Sequence, residues 1–338
     1  MSARAIGRLA ALFVLLFAIL AAAQIYVQVV LGPSLEVSRF NPLHTNPAQG
    51  RGTIVASDGA LLAESVGANR VYPEGALLAQ AVGYASQRYG ESGLEASFDK
   101  FLSPPQWPAN PIDQLRSIFE PNSRRPQGAR IVTTIDLATQ RTLFRDLSRY
   151  ERAAGIVLDP TTGEILALAS VPSFDPNHLD TIFPQLSRNA QSPLLDRATS
   201  GLYPPGSTFK IFTAATALED GVVTPQSTFV DDGKLVIGKY VVHNDENEAT
   251  GKQDLAGAFA LSSNVDFAHI ALAIGPDRWF DAAARWRLGD PIPFDVPAEA
   301  ARLPDRSEMT PGILAQLGFG QADLLVSPLQ MALIGATI

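Results

Sequence analysis

Ser207 and Lys210 lie close together in the stretch YPPGSTFKIFTAATALEDG, residues 203–221. A serine hydroxyl is a weak nucleophile until a base removes its proton. Residues i and i+3 of a helix share a face, so this spacing can bring Ser207 Oγ towards Lys210 Nζ. Pro204, Pro205 and Gly206 discourage the helix from extending backwards, which sets Ser207 at its start. Backbone N–H groups there have no intrahelical acceptor, and together with the helix dipole they favour negative charge beside the serine. The same field, with burial, works against an ammonium and leaves Lys210 able to act as base. The following residues 211–218, IFTAATAL, are apolar nearly all round and predict a central, rigid helix. This is the pattern of an activated, acyl-accepting serine, although a serine opening a helix with a lysine one turn on is also an ordinary arrangement.

A second polar set stands before the apolar run VDFAHIALAI: Leu261-Ser262-Ser263-Asn264. The Ser262 hydroxyl can relay protons between Lys210 and a leaving group, and the Asn264 amide can orient Lys210 or hold a substrate carbonyl. Taken alone, the stretch also reads as a polar loop capping a helix.

Composition removes several other chemistries. There is no cysteine, so thiol catalysis, disulfides and cysteine-ligated metals are excluded. His44, His178, His243 and His269 are scattered without ligand spacing, and no catalytic metal or other cofactor is expected. The formal net charge of -8 argues against a nucleic-acid partner.

The elements that must position these residues read as α+β. Arg4 and Arg8 precede an uncharged apolar run, residues 9–31, long enough to span a hydrocarbon layer of about 30 Å. The expectation is a single-pass anchor with residues 1–8 in the cytoplasm and everything after it exported. Ala21-Ala22-Ala23 also resembles a cleavage site for a signal peptide. Residues 32–128 are expected to form a stalk, a small mixed domain with two strands around Ser57-Asp58-Gly59 and a helix in EGALLAQAVGYAS, and a linker over 103–128 with six prolines. A second unit opens at 129, with a strand over Ile131–Ile135 and a helix capped by Asp136 whose apolar face is Leu137, Leu143, Phe144 and Leu147. AAGIVLDPTTGEILALAS predicts a hairpin turning at Asp159–Gly163 and covered by helices on both sides. From Ser207 onward the chain is expected to be mostly helical.

At these residues the chain resembles the penicillin-binding proteins, specifically the monofunctional class B transpeptidases. LDRATSGLYPPGSTFK resembles the segment around the family's S-x-x-K motif. SSN resembles its S-x-N motif, and Thr134, Asp136 and Gln140 match a T-x-D-x-x-x-Q entry. LDPTTGEILALASVPSFDPN is similar to the family's first hairpin, and GFGQADLLVSPLQMA to a further helix entry. RGTI…GALLAES and GESGLEASFDKFL look like its pedestal domain. The resemblance implies a pedestal followed by a transpeptidase domain over 129–338, and cross-linking of D-alanyl-D-alanine stem peptides in bacterial peptidoglycan. Ser207 would be the nucleophile, Lys210 the base, Ser262 the proton shuttle and Asn264 a substrate-binding or lysine-ordering group. It also implies covalent inhibition by β-lactams, no cofactor and, by analogy, a SEDS-family glycan polymerase as partner.

The family's K-[ST]-G motif is absent, and no lysine follows Lys252. Residues 324–338 carry no charge, so the sequence is expected to stop inside a core helix, leaving the transpeptidase domain incomplete and these residues alone inactive. A non-catalytic cell-wall scaffold and a β-lactam sensor or β-lactamase-like protein are the competing readings.

Overall fold

The computed structural model describes residues 3–26, 49–105 and 127–338. The expected stalk up to residue 48 and the greater part of the proline-rich linker, 106–126, lie outside the described residues.

Helix α1, Ala3–Ile25, covers most of the apolar run expected to be an anchor, of which residues 27–31 lie outside the described residues. Its side chains over 11–24 are exposed. Among the described residues no helix is long and apolar enough to cross a membrane.

The region expected to be a pedestal is built on short strands. β1, Ile54–Val55, turns into β2, Leu61–Val66, at the expected place. Gly59 N–H closes that turn on Ala56 O at 2.9 Å, and Asp58 Oδ1 accepts from Ala60 N–H at 2.9 Å. β3, Asn69–Val71, follows, and a 3₁₀ turn, Gly75–Leu77, leads into α2, Ala79–Val82. β4, Ala85–Ser86, and β5, Gly90–Glu91, form a small ladder before α3, Gly93–Ser97, and α4, Asp99–Leu102. Buried Arg51 organises the end of this region. Its guanidinium donates to Glu95 Oε2 at 2.5 Å and Asp99 Oδ1 at 2.6 Å, while Arg70 holds Glu95 Oε1 at 2.6 Å. Breaking one partner of such a buried set costs about 3–5 kcal/mol, because a charge is left without compensation.

After the linker the chain returns as β6, Ile131–Val132, and pairs parallel with β1, giving a sheet of order β3-β2-β1-β6. The strand is shorter than the expected Ile131–Ile135. Thr133 N–H still reaches Val55 O at 2.9 Å, but Thr134 Oγ1 donates to Ile165 O at 2.6 Å and Asp136 N–H to Leu166 O at 2.9 Å. The chain is therefore handed from one sheet to the next within a few residues. Asp136 caps α5, Leu137–Leu147, accepting from Thr139 N–H at 2.7 Å. β7, Ala153–Leu158, and β8, Ile165–Val171, form the expected hairpin, with Gly163 at φ +78° in the turn. Gln140, fully buried, donates to Leu168 O at 2.9 Å and accepts from Leu168 N–H at 2.8 Å. Its amide thus serves a stretch of β8 backbone that would otherwise be buried unpaired. α5 packs on β8, and α12, Pro328–Ala336, runs against β7, whose residues stay half-buried throughout.

The remainder contains α6, Leu179–Leu186, a 3₁₀ turn Gly206–Phe209, α7, Lys210–Glu219, α8, Leu255–Ala260, α9, Asn264–Ile274, α10, Pro276–Arg285, and α11, Pro311–Leu317. It is not mostly helical as expected. Between α7 and α8 lie β9, Thr228–Asp231, β10, Lys234–Ile237, β11, Tyr240–His243, and β12, Gly251–Asp254. β10 pairs with β11 and β9 with β12, both antiparallel. The β-branched runs here are separated by Gly233 and Gly238 at φ +86° and +58°, turns that only glycine enters without strain. The core of this part centres on α7 and α9: Phe209 stacks on Phe212 at 4.7 Å, and Phe212 meets the ring edges of Trp279 and Trp286 at 6.1 and 5.3 Å.

Candidate active site

Ser207 is the second residue of the 3₁₀ turn that leads into α7, and its side chain is exposed. The helical path begins at Gly206 after Pro205, one residue earlier than a start at Ser207. In a 3₁₀ turn residues i and i+3 eclipse, so Lys210, first residue of α7, shares the Ser207 face. The turn is held from behind by the segment entering α12. Gly206 N–H donates to Gly320 O at 2.9 Å, and Tyr203 and Val326 exchange backbone hydrogen bonds, each 2.9 Å. Gly320 has φ +74°, and a Cβ there would lie 2.2 Å from Gly206 O, so only glycine fits.

Lys210 is only 2% exposed. Its Nζ donates to Ser262 O at 2.5 Å, Asn264 Oδ1 at 2.8 Å and Ser262 Oγ at 3.0 Å, and lies 5.5 Å over the Phe267 ring. Burial lowers the lysine to about 8, with the Asp266 charge opposing. Among the described residues no hydrogen bond joins Ser207 Oγ to Lys210 Nζ. The i, i+3 spacing placed the two on one face, but the amine hydrogens are directed at the Ser262–Asn264 corner.

That corner is a tight turn between α8 and α9. Ser262 has φ +54°, a conformation costing on the order of 1 kcal/mol for a non-glycine residue. Ser262 N–H donates to Phe259 O and Ser263 N–H to Ala258 O, each at 3.0 Å, and this folding back turns both oxygens of Ser262 towards the lysine. Ser263 caps α9 by accepting from Asp266 N–H at 3.0 Å. Asn264 Nδ2 donates to His243 O at 3.0 Å, which leaves its Oδ1 for Lys210.

Three of the four residues singled out from the sequence are thus hydrogen-bonded together, and the fourth sits on the adjoining turn. A hydroxyl on an exposed turn, a buried amine near neutrality and a second hydroxyl bonded to that amine are the parts needed to activate a nucleophile and pass its proton onward. Residues that the spacing did not reveal support them. Asp231 and Asn244 underlie the Ser262–Asn264 corner, and Gly320 backs the Ser207 turn. Gly318-Phe319-Gly320, in the stretch GFGQADLLVSPLQMA, was a visible signal for Gly320; nothing in the local pattern marked Asp231 or Asn244. A cavity of about 720 Å³, lined by Phe98, Ile131, Leu168 and Phe294, lies elsewhere, and none of the four residues faces it.

Comparison with known proteins gives the family. Residues 153–338 match the penicillin binding protein transpeptidase domain, and residues 51–130 the penicillin binding protein A dimerisation domain. The peptidoglycan D,D-transpeptidase PbpA of Mycolicibacterium smegmatis is 32% identical over 317 residues, covering 85% of this chain and 62% of that protein. The peptidoglycan D,D-transpeptidase FtsI of Escherichia coli K12 is 30% identical over 288 residues, covering 80% and 46%. The imipenem acyl-enzyme complex of penicillin-binding protein A from M. tuberculosis superposes with a TM-score of 0.77 at 29% identity, over 86% of this chain and 71% of that one. The chain therefore spans less than two thirds of the length of these curated relatives. With the amine, hydroxyl and amide gathered as described and more than half of its residues matching the transpeptidase domain, the chain belongs to the penicillin-binding proteins, among relatives of class B.

Proposed function

We propose that this protein is a serine D,D-transpeptidase that cross-links peptidoglycan stem peptides. The observation that carries the reading is Lys210: a buried amine lowered to about 8 and hydrogen-bonded to Ser262 and Asn264, one helical turn from an exposed serine. Neutral Lys210 takes the Ser207 proton as Oγ attacks the carbonyl of the penultimate D-alanine. The new C–O bond forms an oxyanion, which N–H groups of the first helical turn can stabilise. Collapse breaks the peptide bond, the proton reaches the departing D-alanine amine through Ser262 Oγ, and an acyl-enzyme remains. An amine from a neighbouring stem then attacks the ester, loses its proton along the same route and frees Ser207. A β-lactam carbonyl meets the same serine, but its leaving amine stays tethered and the acyl-enzyme persists. The relative solved as an imipenem acyl-enzyme supports this reading.

The expected location is the outer face of a bacterial cell membrane. The uncharged run over residues 9–31, behind Arg4 and Arg8, and the exposed apolar side chains of α1 support an N-terminal anchor with its start in the cytoplasm. A SEDS-family glycan polymerase would supply the strands to be joined.

Incubation of the intact gene product with a fluorescent penicillin tests the activity. The expected outcome is one covalent label on the peptide carrying Ser207, lost in Ser207→Ala. Equal labelling of that variant and the parent would refute the assignment.

A further inference from the structure

Behind the Ser262–Asn264 corner lies a carboxylate that touches none of the four proposed site residues. Asp231, at the end of β9, is completely buried. Its Oδ2 accepts from Asn244 Nδ2 at 2.5 Å, Thr250 Oγ1 at 2.6 Å and Ser263 Oγ at 2.9 Å, while its Oδ1 accepts from Gly233 N–H at 2.7 Å. Both oxygens are therefore held by donors, which come from the turn after β9, the loop after β11, the approach to β12 and the start of α9. Burial opposes ionisation here, but hydrogen bonds from Thr250, Gly233, Asn244 and Ser263 outweigh it and hold the carboxyl below its ordinary range.

The consequence reaches Lys210 in two steps. Because Asn244 Nδ2 is spent on Asp231, its Oδ1 is turned the other way and accepts from Asn264 N–H at 2.8 Å and Val265 N–H at 3.1 Å. Those are orphan donors of the first turn of α9, so Asn244 caps the helix alongside Ser263. Asn264 is fixed at its backbone and presents Oδ1 to Lys210 at 2.8 Å. We propose that Asp231 is a positioning residue for acylation, setting Asn264 and Ser262 against Lys210 through Asn244 and Ser263. It acts through these residues and touches no substrate. The inference rests on the acyl-enzyme reading above.

Asp231→Asn keeps the shape but turns an NH₂ group towards hydrogen-bond donors. The experiment follows acylation of the intact gene product by a fluorescent penicillin, separating the dissociation constant of the initial complex from the acylation rate constant and recording the labelled fraction at long times. A misplaced catalytic constellation slows chemistry by about 10–100-fold. The expected result is a fall of that order in the acylation constant, with the initial dissociation constant and the final labelled fraction within twofold of the parent. The double variant Asp231→Asn with Asn244→Asp restores one carboxylate and one amide across the same contact. It places the carboxylate at the N-terminus of α9, where negative charge is favoured, and is expected to recover at least about tenfold. An acylation constant within twofold of the parent in Asp231→Asn overturns the proposal, as does a loss confined to the labelled fraction, which marks a folding defect. Should that variant not fold, Asn244→Ala cuts the same line outside the carboxylate, and parental acylation there overturns it equally. An intact gene product that takes no label at Ser207 sinks the transpeptidase reading itself, and this inference with it.

Discussion

Lys210 carries a conflict between structure and chemistry. Three acceptors hold its amine hydrogens, whereas burial disfavours the charged form and, against the Asp266 charge, lowers it from 10.5 to about 8. In its proposed role as base, Lys210 must be neutral to take the Ser207 proton. Acylation is therefore expected to rise about tenfold per pH unit below 8 and to level off above it, a limb read from penicillin-labelling rates between pH 5.5 and 9.5. A limb near 10.5, the ordinary lysine range, would show that burial does not tune the amine. Ser262 shows a second compromise, since its strained φ is what aims both its oxygens at Nζ. This is how local strain is used at sites that surrounding structure over-determines.

Among elements, the 3₁₀ turn before α7 depends closely on its neighbour. Its backbone leans on Gly320, where an added Cβ would meet Gly206 O at 2.2 Å and Phe209 Cβ at 2.7 Å. Neither can retreat without moving Ser207. Gly320→Ala adds a positive-φ penalty to that overlap and is expected to destabilise the fold by about 2–4 kcal/mol. Penicillin labelling is expected to slow by about tenfold or more as the serine shifts. Chemical denaturation and labelling kinetics on the same preparation check both, and parental values in both would show that the turn holds its shape unaided.

At the scale of the whole molecule, residues 49–105 and the start of the second unit share one hydrophobic cluster. Ile54, Leu62 and Leu102 from the first pack in the same cluster as Ile135, Leu137 and Leu168 from the second. β6 completes the pedestal sheet as it opens the second unit. Removing residues 49–128 would leave β6 without a partner and expose that cluster. The piece 129–338 is expected to unfold at least about 10 °C below the piece 49–338, as thermal melts of the two would show, or to be insoluble. Equal melting temperatures would mean that the shared cluster adds nothing.

Ser207, Lys210, Ser262 and Asn264 could be singled out in the sequence, because helix geometry ties short spacing to a shared face, because polar residues interrupting apolar runs are conspicuous, and above all because the four match the S-x-x-K and S-x-N motifs in order. The pedestal turn at Ser57-Asp58-Gly59, the Asp136 cap and the hairpin around Asp159–Gly163 were legible for the same reason: each is decided by residues within a few positions of one another. Long-range contacts were not. That Lys210 Nζ turns to Ser262 and Asn264, that Asp231 anchors Asn244 and that Gly320 touches Gly206 all join segments distant along the chain. β9 to β12 escaped because their strands are short and partly exposed, so their pairing, more than any periodicity, makes them strands. Residue type and short spacing say which groups can react; packing alone decides which of them meet, since burial and hydrogen-bond partners belong to the folded chain.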